Sequence, residues 1–70
     1  MIDRKCQVGA LHVGDWIQYR EMWWEIASFQ PKGIQMLSMR LISRDDDNTV
    51  FAETQLTLPR KNSVLTRRMW

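Results

Sequence analysis

The chain has one cysteine, Cys6, so no internal disulfide can form. An oxidising compartment is therefore not implied. One cysteine and one histidine, His12, cannot close a tetrahedral metal shell alone. No apolar run approaches the roughly 20 residues that span a bilayer. The opening segment Met1-Ile2-Asp3-Arg4-Lys5-Cys6-Gln7 holds no apolar stretch of the signal-peptide kind. The expectation is a cytoplasmic chain with no membrane, metal or cofactor. Charge of one sign is scarce as well: ten basic and eight acidic residues leave a net +2. That excess is too small to argue for a polyanion partner by itself.

Seventy residues suffice for one domain, spanning 1–70. A chain this short buries only about 60% of its unfolded surface, so it needs a rich core. Four Trp, two Phe, one Tyr and five Met supply one. No window keeps the i, i+3, i+4, i+7 apolar spacing of a helix. The strand signals instead alternate with turns. Strands are expected at Lys5–Ala10, Trp16–Arg20, Trp23–Phe29, Ile34–Ser43, Thr49–Ala52 and Ser63–Met69. Gly14-Asp15, Glu21-Met22, Gln30-Pro31-Lys32-Gly33 and Arg44–Asn48 read as the turns between them. Residues 54–61 read as a short strand ended by Pro59 or as a single helical turn. The fourth strand carries Leu37, Met39 and Leu41 on one parity and Ile34, Met36 and Ile42 on the other, which predicts a bend or bulge. The fold class is all-β, a small barrel of five or six antiparallel strands, closed or partly open.

The segment Leu11-x-Val13-Gly14-Asp15-Trp16-Ile17, followed by Trp24-x-Ile26, resembles the opening of small SH3-like barrels. It is also similar to the β-core of the Hint superfamily. The likeness covers roughly residues 8 to 30 and implies a fold and no reaction. A splicing Hint domain needs a nucleophile as its first residue and a Thr-x-x-His block. Here Cys6 is internal and Thr54-Gln55-Leu56-Thr57 ends in Thr. The resemblance implies an origin among bacterial, plasmid or phage proteins.

His12 and Cys6 do not make a base–nucleophile pair. Six extended residues separate them by about 20 Å. Cys6 reads as a small apolar residue, and no catalytic residue is assigned. Asp45-Asp46-Asp47-Asn48 lacks the alternate ligand spacing and the glycine of a calcium loop, so it reads as a turn. Trp23 and Trp24 are neighbours and point to opposite faces of a strand. Trp24 shares parity with Ile26 and is assigned to the core; Trp23 is assigned to the surface, on the parity of Glu25, Ala27 and Phe29. Residues 60–70 carry Arg60, Lys61, Arg67 and Arg68 and no acid. An exposed Trp23 beside these cations suits a protein interface, or stacking on nucleic-acid bases, or plain packing under Arg and Lys stems. The first expectation is a non-enzymatic protein-binding module that regulates or inhibits a larger factor and self-associates through exposed aromatics. The alternative is nucleic-acid binding through Trp23, Arg60, Lys61, Arg67 and Arg68.

Overall fold

The computed structural model describes the backbone of residues 2–68 and the side chains of residues 3–67. Six strands follow in chain order: β1 (Ile2–Gln7), β2 (Trp16–Tyr19), β3 (Met22–Lys32), β4 (Met36–Arg44), β5 (Val50–Pro59) and β6 (Ser63–Arg68). A single 3₁₀ turn at Val8–Ala10 is the one helical element among the described residues. All pairings are antiparallel, in one sheet of order β1-β6-β2-β3-β4-β5. The chain is all-β as expected, but the sheet does not close: β1 and β5 remain its edges.

The sheet is nevertheless strongly coiled. β5 and β6 lie four places apart in the strand order yet are joined by only Arg60-Lys61-Asn62. Three residues reach about 10 Å, so the sheet must curl to bring the end of β5 to the start of β6. The junction is tied by backbone bonds from Val8 N–H to Asn62 O (2.8 Å), Gly9 N–H to Arg60 O (3.0 Å) and Arg60 N–H to Gln35 O (2.8 Å). Inside the curl lie Val8, Leu11, Ile17, Trp24, Ile26, Leu37, Met39 and Leu41, with Cys6, Phe29, Leu56, Leu58 and Val64 packed against them.

Two bulges shape this core. Ile26 pairs with Leu41 and Ser28 with Arg40, so Ala27 is an extra residue in β3. The insertion shifts parity by one. Trp24 and Ile26 face the core before it, and Phe29 then pairs with Met39 and packs on the core after it. Phe29 therefore lies opposite to its expected face. In β5, Phe51 is the extra residue between Val50 and Ala52. The bend expected in the fourth strand thus falls in its two neighbours, while β4 itself is regular between them.

Other boundaries move for local reasons. Val8–Ala10 leaves the expected first strand to form the 3₁₀ turn. Arg20 (φ 53°) and Glu21 (φ 63°) make the β2–β3 turn, one residue earlier than Glu21-Met22. Two positive φ values are those of a type I′ turn, whose twist matches that of the flanking strands. Pro31 sits in β3, opposite Leu37, and the chain reverses over Gly33–Gln35. β2 covers only Met22–Glu25 of β3, so one edge of the later part is unpaired by β2 and tolerates a residue without an N–H. Residues 50–59 form one continuous strand, which removes both the short fifth strand and the helical-turn reading of 54–61. Met69 and Trp70 lie outside the described residues.

Candidate functional site, the outer sheet face

Gly14-Asp15 positions the face by anchoring β2 against β3. Gly14 (φ 95°) donates its N–H to Ile26 O (2.9 Å), and Ile26 N–H returns a bond to Asp15 O (2.9 Å). The Asp15 carboxylate is buried and accepts the His12 N–H at 2.9 Å. These bonds set the register that places Trp16 beside Glu25 and Ile17 beside Trp24.

Trp24 is 7% exposed and its indole N–H donates to Tyr19 O at 3.0 Å. Trp23 lies on the opposite face, as its parity requires, but is half-buried and not fully exposed. The Arg67 guanidinium lies over its ring, 4.0 Å from the centroid. Two bonds hold that guanidinium to Asp3, from Nε to Oδ1 (2.7 Å) and from Nη2 to Oδ2 (2.9 Å). A planar fork on a carboxylate is the strongest geometry an ion pair of this type adopts. The hydrogen bonds from Arg67 hold the Asp3 carboxyl below its ordinary range, and Asp3 in turn raises Arg67.

A single cross-strand row runs over this face: Asp3, Arg67, Trp16, Glu25, Ile42, Glu53. Arg44 reaches Glu25 at 3.3 Å. Arg40 forks onto Glu53 at 2.7 and 3.1 Å, which lowers Glu53 and raises Arg40 through those hydrogen bonds. Ile42 is central, with Glu25 and Glu53 across and Arg40 and Arg44 two residues along on either side. It is only 6% exposed although it points away from the core. The aliphatic stems of long charged side chains cover an apolar neighbour in this way. That burial, rather than a bend, explains why β4 is apolar on both parities.

Beside the row lies a polar hollow of about 440 Å³, floored by Ser38 and walled by Ser28, Gln30, Arg40, Glu53 and Gln55. Gln55 Nε2 donates to Ser38 Oγ at 2.6 Å. Nothing in the sequence pattern pointed to it, because its residues come from three strands.

The expected site residues divide into two groups. Trp23 and Arg67 meet. Arg60 and Lys61 occupy the β5–β6 turn, before the other end of β6, about 20 Å from Arg67 at strand spacing. Arg60 Nε is bonded to Ile34 O at 3.2 Å. Arg68 ends β6, and its side chain lies outside the described residues. Asp45 is the anchor of its turn: its Oδ1 accepts the Asp47 and Thr49 N–H groups, both at 3.0 Å. Cys6 is half-buried in β1 against the core, and the His12 side chain is exposed. Among the described residues no helix is long and apolar enough to cross a membrane. Compared with known protein families, curated proteins and solved structures, the chain finds no match.

Proposed function

We propose that this chain is a non-enzymatic protein-binding module whose contact surface is the outer sheet face around Trp23 and Arg67. The observation that carries the reading is the Asp3–Arg67–Trp23 stack. It presents an indole and a guanidinium already held in one geometry, so little side-chain freedom is lost on docking. Trp and Arg are the residues enriched among interface hot spots. The same stack argues against nucleic acid. Arg67, Arg44 and Arg40 each face a carboxylate, and phosphate binding would have to displace it. Arg60 and Lys61 stand too far off to extend a basic track. We take the coiled sheet to be SH3-like, on the strength of the Leu11–Phe29 segment, and the role to be regulation or inhibition of a larger bacterial or phage factor.

Two measurements test this. Labelled single-stranded and duplex oligonucleotides should show no binding by fluorescence anisotropy at low or moderate salt. Immobilised chain should retain a protein from nuclease-treated bacterial lysate, and Trp23→Ala should lose it. Micromolar oligonucleotide binding that weakens steeply with salt and disappears on Arg67→Glu would refute the proposal in favour of nucleic acid.

A further inference from the structure

The two edges of the open sheet are built differently. β1 carries Asp3, Arg4 and Lys5, three charged residues in six, all exposed. Charges on an edge are a common means of preventing edge-to-edge pairing. β5 has ten residues, Val-Phe-Ala-Glu-Thr-Gln-Leu-Thr-Leu-Pro, and a single charge. That charge, Glu53, is ion-paired to Arg40. β5 has no lysine, its bulge is at one end and its proline at the other. Its middle is an unprotected row of backbone donors and acceptors.

The ends of β5 are complementary to each other. Val50 (42% exposed) and Phe51 (59% exposed) present apolar surface at the start. At the finish, Pro59 lines a hollow of about 390 Å³ with Ile34, Gln35, Arg60 and Lys61, and Ile34 is 92% exposed. One strand thus carries an apolar projection at one end and an apolar recess at the other. An antiparallel copy of the same strand brings each projection to the other's recess. We propose that the β5 edge pairs with β5 of a second copy of this chain, about a two-fold axis through Gln55, to give a continuous twelve-stranded sheet.

The register follows from three constraints. Opposed residues must share a face, so the axis passes through a residue. An axis at Glu53 would set two carboxylates against each other and shorten the overlap, and an axis at Thr54 would move Phe51 off the Pro59 recess and onto Thr57 of the second copy. An axis at Gln55 places Phe51 opposite Pro59 of the second copy, Ala52 opposite Leu58, Glu53 opposite Thr57 and Thr54 opposite Leu56. Both copies bury the same edge, so the contact is isologous and closes at two. One strand's width of contact belongs among small interfaces, below about 1,200 Å² in total, and the dimer is accordingly concentration-dependent. The edge is separate from the Trp23–Arg67 surface, which lies on β3 and β6, so either proposal can fail without the other.

Sedimentation velocity of the full chain over a concentration series tests the pairing. The expected result is a monomer–dimer equilibrium. Thr57→Lys should tighten it and Thr57→Glu should loosen it, because residue 57 faces Glu53 of the second copy. The pair occurs twice across the axis, so each shift is a factor of about 2 to 30. Phe51→Ala, at an exposed position, should loosen the dimer on the order of 10-fold. Trp23→Ala should leave it unchanged. A chain that stays monomeric to about 1 mM overturns the proposal and leaves the edge to some other extended segment. A dimer indifferent to the sign of charge at residue 57, or to Phe51→Ala, overturns it too, since another surface or register is then in use.

Discussion

Trp24→Ala should cost this domain most of its stability, and Trp23→Ala should not. The two residues are neighbours of identical chemistry, so the comparison isolates the face they point to. Trp24 belongs to the core cluster and is 7% exposed. Truncating such a ring typically costs about 3–5 kcal/mol. The truncation also removes the indole N–H bond to Tyr19 O at 3.0 Å, which adds to the cost. A domain of this length has about 4–10 kcal/mol in all. Trp23 is half-buried beneath Arg67, and truncating it costs about 1–1.5 kcal/mol by scaling the burial of a large apolar side chain. Trp24→Phe keeps a ring and loses the donor, and should fall between the two. Urea melts followed by far-ultraviolet circular dichroism give the order, since the tryptophans cannot serve as probes of their own removal. With a slope near 1 kcal/mol per molar urea, Trp24→Ala should move the midpoint by several molar or leave no folded baseline. A larger shift for Trp23→Ala than for Trp24→Ala would show that the sheet faces are assigned the wrong way round.

Glu21→Gly should raise the melting temperature, because Glu21 holds φ at 63° in a type I′ turn that glycine adopts without strain. A gain of about 1 kcal/mol corresponds to roughly 4–8 °C at this size; a fall in melting temperature would contradict the turn assignment. Acid should weaken the outer face. Asp3 and Glu53 are held below their ordinary values by Arg67 and Arg40, so their contribution is present above pH about 4–5 and is lost as pH falls through the folded-state values. Urea midpoints measured from pH 6 to pH 2 should drop less steeply in Asp3→Asn/Glu53→Gln than in the parent chain, and equal slopes would remove the two ion pairs from the account.

What could be read from sequence was local and periodic. Trp24 and Ile26 lie two apart in a run of strand formers, and both face the core. Leu37, Met39 and Leu41 were legible in the same way. Phe29 was not, because Ala27 adds one residue and reverses the parity, and an alanine in a strand gives no sign of a bulge. The same holds for Phe51 in β5. Pro31 and Gly33 together read as one turn, yet only Gly33 turns the chain. Pro31 can stay in β3 because β2 is too short to cover it, a fact that depends on pairing and not on Pro31. The site was half-legible for a related reason. Trp23 could be placed on the surface from its neighbour. That Arg67 would lie over it depends on β6 inserting between β1 and β2, more than forty residues away in the chain, and no local pattern records that insertion.

That insertion also decides which strands stand at the edges. β6 lies between β1 and β2, which makes β1 one outer strand, and β5 is the other. A closed barrel would bond β5 to β1 and leave no edge. Here the chain curls far enough for the Arg60–Asn62 turn to bond Val8 and Gly9, and β5 itself remains paired on one side. The charges follow this division. On β1, Asp3 is drawn inward along the row to hold Arg67 over Trp23, while Arg4 and Lys5 remain to guard the edge. On β5, Glu53 is drawn to Arg40 in the same manner, and no other charge is left on the strand. One edge therefore keeps its protection after the outer face has taken its ion pair, and the other does not.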